Sequence, residues 1–253
     1  MNSIDLKLEK KASRTMTESL RSIRTNLRFC GDDVKTIMIT SSVPNEGKST
    51  VTFELARSLT ESNKSVLIVD TDMRKSVLAG RLGAKTYDRA EMKGLSHYLS
   101  GQASLGDVLY TTNNNKLFMI FAGPSVPNPT EILEKKYFED LIRFARDKFD
   151  YVIIDCAPIG AAIDAAVVAK QCDGAILVVA QGMAGTRMIT SVKKQLEASG
   201  VRILGAVLNK VKMERSHYGK YYGKYYGGYY GSYYGNYYGD STEDESEAES
   251  EKE

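Results

Sequence analysis

Apolar residues recur along this chain in short dense blocks: VKTIMIT at 34–40, VLIV at 66–69, LFMIF at 117–121, YVII at 151–154, AILVV at 175–179 and ILGAVL at 203–208. Each is strand length and apolar on both faces, as in a sheet covered on both sides. Between them, Val51, Leu55 and Leu59 stand four apart within a helix predicted at 48–60. Helices are also predicted at 137–149, 161–170 and 186–199. Residues 1–33 read as mostly helical, with Leu20, Ile23, Leu27 and Phe29 near helical spacing. Residues 75–115 read as irregular apart from a helix at 95–99, and 123–129 (GPSVPNP) as a loop after which Asn128 or Thr130 caps a helix. Strands alternating with helices predict an α/β fold, a mostly parallel sheet with helices on both faces. The packed domain is expected to span 34–211, after a helical segment at 1–33.

Beyond Val211 the pattern changes. Residues 218–239 repeat YYG with one variable residue, and hold 11 of the 16 tyrosines: Tyr218, Tyr221, Tyr222, Tyr225, Tyr226, Tyr229, Tyr230, Tyr233, Tyr234, Tyr237 and Tyr238. A glycine every fourth residue opposes helix and strand, and no aliphatic side chain is there to build a core. Residues 212–253 are therefore expected to be a disordered tail. Extended, the 22 repeat residues span roughly 70–80 Å, enough to reach a neighbouring molecule.

Of the 253 residues, 42% are hydrophobic and 26% charged, so the chain can bury a sizeable core, and collagen-like or wholly disordered readings are excluded. No apolar run nears the roughly 20 residues of a membrane span, and the polar start is no signal peptide. Three cysteines without CxxC spacing point to a reducing cytosol; Cys156 and Cys172 read as small core fillers. Two histidines leave little for a histidine-based triad or metal site. The net charge of +2 hides an asymmetry: 240–253 carries −7 and the remainder +9. A basic body suits nucleic acid, an acidic membrane surface or phosphate, and charge alone does not choose.

Residues 42–49, SVPNEGKS, choose phosphate. They fit a P-loop with serine at the first glycine position, between a predicted strand and a predicted helix. Backbone N–H groups of such a loop point inward at phosphate oxygens, the helix N-terminus adds positive potential, and Ser42, Val43, Pro44, Asn45, Glu46, Gly47, Lys48, Ser49 and Thr50 are the candidate nucleotide-binding residues. Lys48 would bridge the outer phosphates of ATP, and the Ser49 hydroxyl would bind Mg²⁺. Gly47 keeps a side chain away from the phosphate, and Asn45 tolerates left-handed backbone. Two more strands end in acids: Asp70 and Asp72 after VLIV, and Asp155 after YVII. In a parallel sheet these ends lie on the ligand side. Asp155 is the expected metal-side carboxylate. Of Asp70 and Asp72, one accepts the proton of an attacking hydroxyl while the other orients Mg²⁺. Lys48, Asp70, Asp72 and Asp155 are thus the candidate catalytic group, and Ser49 and the three aspartates the candidate metal ligands.

These boxes, 42–49 as Walker A, 66–74 as Walker A′ with its DxDxR and 153–158 as Walker B, resemble those of the bacterial tyrosine kinases, or BY-kinases. The tyrosine repeats are similar to that family's autophosphorylation cluster, NPTEIL at 128–133 to its PNP-x-E-L-L-like stretch, and Glu18, Arg21 and Arg24 to its ExxRxxR oligomerisation motif. The likeness covers about residues 15–240 and is nearest to the stand-alone cytosolic CpsD/EpsB-type autokinases of capsule or exopolysaccharide production. Ala157 replaces a usual proline, and Asn45 a usual glycine. The resemblance implies a P-loop NTPase-like fold, ATP and Mg²⁺, and trans phosphorylation of the tail tyrosines within a homo-oligomeric ring, an octamer. It implies a membrane-spanning activator that recruits a cytoplasmic protein to the inner face of the plasma membrane, a cognate tyrosine phosphatase, and no nucleic-acid partner. It also places Asn209 against adenine. The rival readings are a ParA/MinD-type ATPase, whose signature lysine is replaced here by Val43, and a tyrosine-rich assembly scaffold regulated by ATP.

Overall fold

The computed structural model describes residues 2–7, 13–86, 91–160 and 163–212. Contacts divide the chain at Val211, and Met1–Val211 is one compact unit. The tyrosine repeats and the acidic tip lie outside the described residues, and with them the expectation of a disordered tail.

The described residues form β1 (Asn2–Asp5), α1 (Arg14–Phe29), β2 (Thr36–Ser41), α2 (Lys48–Glu61), β3 (Val66–Asp70), α3 (Leu78–Arg81), β4 (Lys85–Thr86), α4 (Leu95–Leu99) and α5 (Leu105–Val108). There follow β5 (Tyr110–Thr111), β6 (Leu117–Ile120), α6 (Pro129–Leu133), α7 (Lys136–Lys148), β7 (Tyr151–Asp155), α8 (Asp164–Ala169), β8 (Gly174–Ala180), α9 (Thr186–Ala198) and β9 (Ile203–Asn209). The sheet order is β4-β1-β5-β6-β3-β7-β2-β8-β9. From β6 to β9 every pairing is parallel. The antiparallel pairings, β1 with β4 and β5 with β6, lie toward the other edge. The first 33 residues are not wholly helical, because residues 2–5 pair with β4 and β5 as an edge strand. That strand has the burial pattern of one inward residue, Ile4, so its sequence carries no apolar run.

Side chains alternate across the parallel strands and feed two cores, one on each face. On one face Ile37, Ile39, Ile68 and Ile153 meet Leu55 and Leu59 of α2 and Leu20 and Leu27 of α1. On the other, Met38, Leu67, Val69 and Ile154 meet Phe138 and Leu141 of α7, Val168 of α8 and Leu196 of α9. Helix α1 therefore packs in the same unit as the sheet. It starts at Ser13, whose hydroxyl accepts the Met16 N–H at 3.2 Å.

The base of β2, the strand that feeds the glycine loop, is fixed by a distant carboxylate. Asp173 accepts hydrogen bonds from the Lys35 and Thr36 N–H groups at 2.9 and 2.7 Å and from Arg146. Burial alone would raise its pKa, but the Arg146 guanidinium and the two amides hold it below the ordinary 3.8. Asp173→Ala is expected to cost about 1–3 kcal/mol, because it leaves two amides and a cation without their acceptor. Its folded-state pKa is depressed, so this stabilisation is present above the unfolded value and lost as pH falls through the folded one. Urea unfolding at pH 7 should show the full gap between variant and wild type, and the gap should shrink under acid conditions.

Candidate functional site

The turn after β2 has the geometry that its sequence demands. Asn45 has φ 67° and Gly47 φ 95°, both left-handed. A Cβ at Gly47 would lie 2.2 Å from the Asn209 side-chain nitrogen. The glycine is thus required by its backbone angle and by Asn209. Glycine is needed again at position 160, where a Cβ would meet the Ser42 carbonyl at 2.5 Å.

The loop is braced from inside. Glu46 is fully buried, and its carboxylate accepts the N–H groups of Ser42 at 2.6 Å, Val43 at 2.9 Å and Ala180 at 3.1 Å. This corrects the expectation that all loop amides turn toward phosphate: those of Ser42 and Val43 are engaged by Glu46. The end of β9 braces the loop from outside. Asn209 donates its amide to the Glu46 carbonyl at 2.9 Å, and Lys210 its ammonium to the Asn45 carbonyl at 2.6 Å. Asn209, expected at adenine, is here a brace of the loop backbone.

Sheet order brings the predicted acids together. Strands β3 and β7 are neighbours, with Asp70 in register with Asp155, and β2 lies on the other side of β7. Lys48, at the start of α2, reaches into this group. Its ammonium lies 3.1 Å from Asp72 Oδ2, 3.5 Å from Asp155 Oδ1 and 3.3 Å from Ser49 Oγ. Burial works against its charge, but Asp155 and Asp72 outweigh that and raise its pKa, so it is a cation at neutral pH. Asp155 is buried, and desolvation pushes its pKa up despite Lys48.

Asp70 and Asp72 are placed differently. Asp72 lines an open cavity of about 210 Å³ with Asn45, Gly47, Lys48, Ser49 and Pro158. Asp70 is fully buried and accepts hydrogen bonds from Ser76 Oγ at 2.5 Å and the Asp72 N–H at 3.1 Å. Burial first, then Asp155, pushes its pKa up to about 7. Thr50 points its hydroxyl to Arg81, which donates to it at 2.5 Å. Arg74, whose place the sequence does not decide, is paired with Asp164. Cys156 is buried, and its thiol is pushed up to about 12, which suits a core filler.

The donors around Lys48 are a hydroxyl and carboxylates, hard oxygens that fit Mg²⁺. Among the described residues no cluster of three or more His, Cys, Asp or Glu side chains is arranged to hold a metal by itself. Glu18 and Arg21 pair at 2.7 Å on the exposed side of α1. Arg24 departs from that face and donates to the Ser58 carbonyl on α2 at 2.7 Å.

A strand, a left-handed glycine turn and a lysine at a helix start, beside two acid-tipped parallel strands, define a P-loop NTPase-like fold. In keeping with this, residues 34–211 match the AAA domain family. The chain is 41% identical to the tyrosine-protein kinase CpsD of Streptococcus agalactiae over 218 residues, 86% of this chain and 93% of that one. The kinase domain of Escherichia coli tyrosine kinase ETK superposes with a TM-score of 0.69 at 30% identity, covering 79% of each chain. The septum site-determining protein MinD of Pyrococcus horikoshii, solved with Mg-ADP, superposes with a TM-score of 0.60 at 27% identity, covering 72% of each. The chain belongs to the CpsD family of tyrosine-protein kinases, whose fold implies nucleotide binding. Among the described residues no helix is long and apolar enough to cross a membrane.

A folded-state pKa near 7 for Asp70, against 3.8 for an ordinary carboxylate, means that the folded chain binds this proton more tightly than the unfolded chain. Its contribution to stability therefore declines as pH rises from about 4 to about 8. Asp70→Asn removes the charge, and Ser76 Oγ can turn to accept the new amide proton. In nucleotide-free, metal-free protein this variant is expected to melt above wild type at pH 8, with the difference closing toward pH 5. An offset independent of pH would contradict the assignment.

Proposed function

We propose that this chain is an ATP-dependent protein-tyrosine autokinase acting on its own tyrosine repeats, and that it regulates capsular or exopolysaccharide polymerisation and export. The observation that carries this reading is the buried Lys48 ammonium, 3.1 Å from a cavity-lining Asp72, in a chain that carries 11 clustered tyrosines at 218–238. ATP binds with its outer phosphates on Lys48 and the loop from Gly47 to Thr50. Mg²⁺ would be held by Ser49 and Asp155, directly or through water, and would neutralise phosphate charge. The tyrosine Oη attacks the terminal phosphorus. The new P–O bond forms as the bond to the β–γ bridging oxygen breaks, and ADP leaves with that electron pair. Asp72 takes the phenolic proton, because it lines the cavity whereas Asp70 lies behind it.

Transfer occurs in trans, within a ring of copies assembled through Glu18 and Arg21. The exposure of that pair on α1 supports this role, and the intrachain bond of Arg24 gives it a structural one as well. A membrane-spanning activator brings the cytoplasmic protein to the inner membrane face, and a cognate tyrosine phosphatase reverses the modification.

Labelled ATP given to the purified chain with the activator's cytosolic segment is expected to label tail peptides. Lys48→Met should reduce the label by about 10²-fold or more. Free phosphate with an unlabelled tail would overturn the reading in favour of a MinD-like ATPase. Arg21→Ala should lower both the assembly mass and the tail labelling while leaving the melting temperature within a degree or two. Unchanged mass and labelling would remove the ring from the proposal.

A further inference from the structure

The cavity walls carry three cations besides Lys48: Arg74, Lys75 and Arg81. They are restrained to different degrees. Among the described residues Lys75 is fixed only through its backbone N–H, which donates to Asp72 at 3.1 Å. Arg81 donates one side-chain hydrogen bond, to Thr50. Arg74 is gripped through two nitrogens, Nε to Asp164 Oδ2 at 2.6 Å and Nη2 to Asp164 Oδ1 at 3.1 Å. The Thr130 hydroxyl, at the start of α6, donates to the same Asp164 Oδ1. The Asp164 side chain is 4% exposed and that of Arg74 47%, so the anchor is buried and the cation open.

A bidentate pair fixes the plane of a guanidinium as well as its position. With Nε and Nη2 engaged by Asp164, the Nη1 hydrogens remain for a ligand in the cavity that Arg74 lines. An exposed ion pair contributes little to stability and needs no buried, buttressed anchor. Such an anchor does suit a donor that must be in place before charge develops, since preorganised donors need no rearrangement during the reaction.

We infer that Arg74 is a catalytic arginine of the phosphoryl-transfer step, donating from Nη1 to the oxygens of the migrating phosphoryl group, and that Asp164, buttressed by Thr130, positions it. The inference rests on the kinase reading of this cavity. Arginines in this role act on charge spread over the equatorial oxygens and matter far more in the transition state than in bound nucleotide. Lysine in place of Arg74 keeps the charge but lacks the fork that Asp164 holds.

The test compares binding of ADP with trapping of ADP–aluminium fluoride, which mimics the migrating group, in the full chain with Mg²⁺. Arg74→Ala and Arg74→Lys are expected to bind ADP within about twofold of wild type, yet to lose trapping by about 10²-fold or more and kcat by about 10³-fold. Asp164→Asn should lose trapping by about tenfold with the KM for ATP unchanged. Thr130→Val should show a smaller loss, and Thr130→Ser should restore it. Wild-type trapping in both Arg74 variants would overturn the inference, as would ADP affinity falling in parallel with trapping. Trapping of ADP–aluminium fluoride transfers no phosphoryl group to tyrosine, so it succeeds or fails independently of tail labelling.

Discussion

The structure depends on keeping one ammonium among three acids in a place nearly closed to water. The Lys48 side chain is 11% exposed, and Asp72 and Asp155 lie 3.1 and 3.5 Å from it. Removing one partner from such a pair costs about 3–5 kcal/mol, because the other charge is left buried. Without the cation, Asp70 and Asp155, in register on adjacent strands, would repel each other with only neutral hydrogen-bond donors to offset it. A parallel sheet makes the arrangement possible. The carboxyl ends of β3, β7 and β2 lie side by side, so two acids and the glycine loop emerge together. A bound phosphate would compete for the same ammonium and, on the proposed mechanism, leave the acids to hold Mg²⁺ and accept the proton. Structural and chemical demands thus fall on the same atoms.

The sequence makes the centre of this molecule legible and its rim obscure, for physical reasons. The six parallel strands from β6 to β9 announce themselves as apolar runs, five of them buried on both faces or nearly so and the sixth, β9, a half-exposed edge strand. Strands β1, β4 and β5 have four, two and two residues and carry no run, so the N-terminal strand reads as helix and β4 and β5 as loop. The glycine loop is legible because its constraints are local: Asn45 and Gly47 occupy left-handed backbone, as their types permit. The inward turn of Glu46 is not legible, since one of its three donors is Ala180, 134 residues away. Arg24 has the spacing to share a face with Arg21, but Ser58 on the neighbouring helix draws it aside. Asn209 reads as a base contact by resemblance, and its place against the Glu46 carbonyl appears only when β9 is folded beside the loop.

The loop is consequently held from two sides rather than left free. Glu46 engages two of its amides from within, while Asn209 and Lys210 hold its carbonyls from the end of β9. These contacts satisfy polar groups that would otherwise be costly to bury, and they fix the backbone before a phosphate arrives. They also tie the loop to the last strand before the tyrosine-rich segment. Chain order therefore places the tyrosine repeats shortly after an element that contacts the glycine loop.

The Asp164 network gives a physical meaning to the NPTEIL segment that resemblance alone cannot. Pro129 begins α6 at the position where a missing N–H is harmless, and Asn128 precedes it as the cap residue. That start sets Thr130 in the first turn, where its hydroxyl reaches Asp164. Asp164 in turn holds Arg74, 90 residues earlier in the chain and two residues after Asp72. The segment, the start of α8 and the acidic box after β3 are therefore one mechanical unit. A change at any of the three alters how the others meet the cavity. The spacing of two residues between Asp72 and Arg74 puts a carboxylate and a fixed guanidinium into the lining of one cavity.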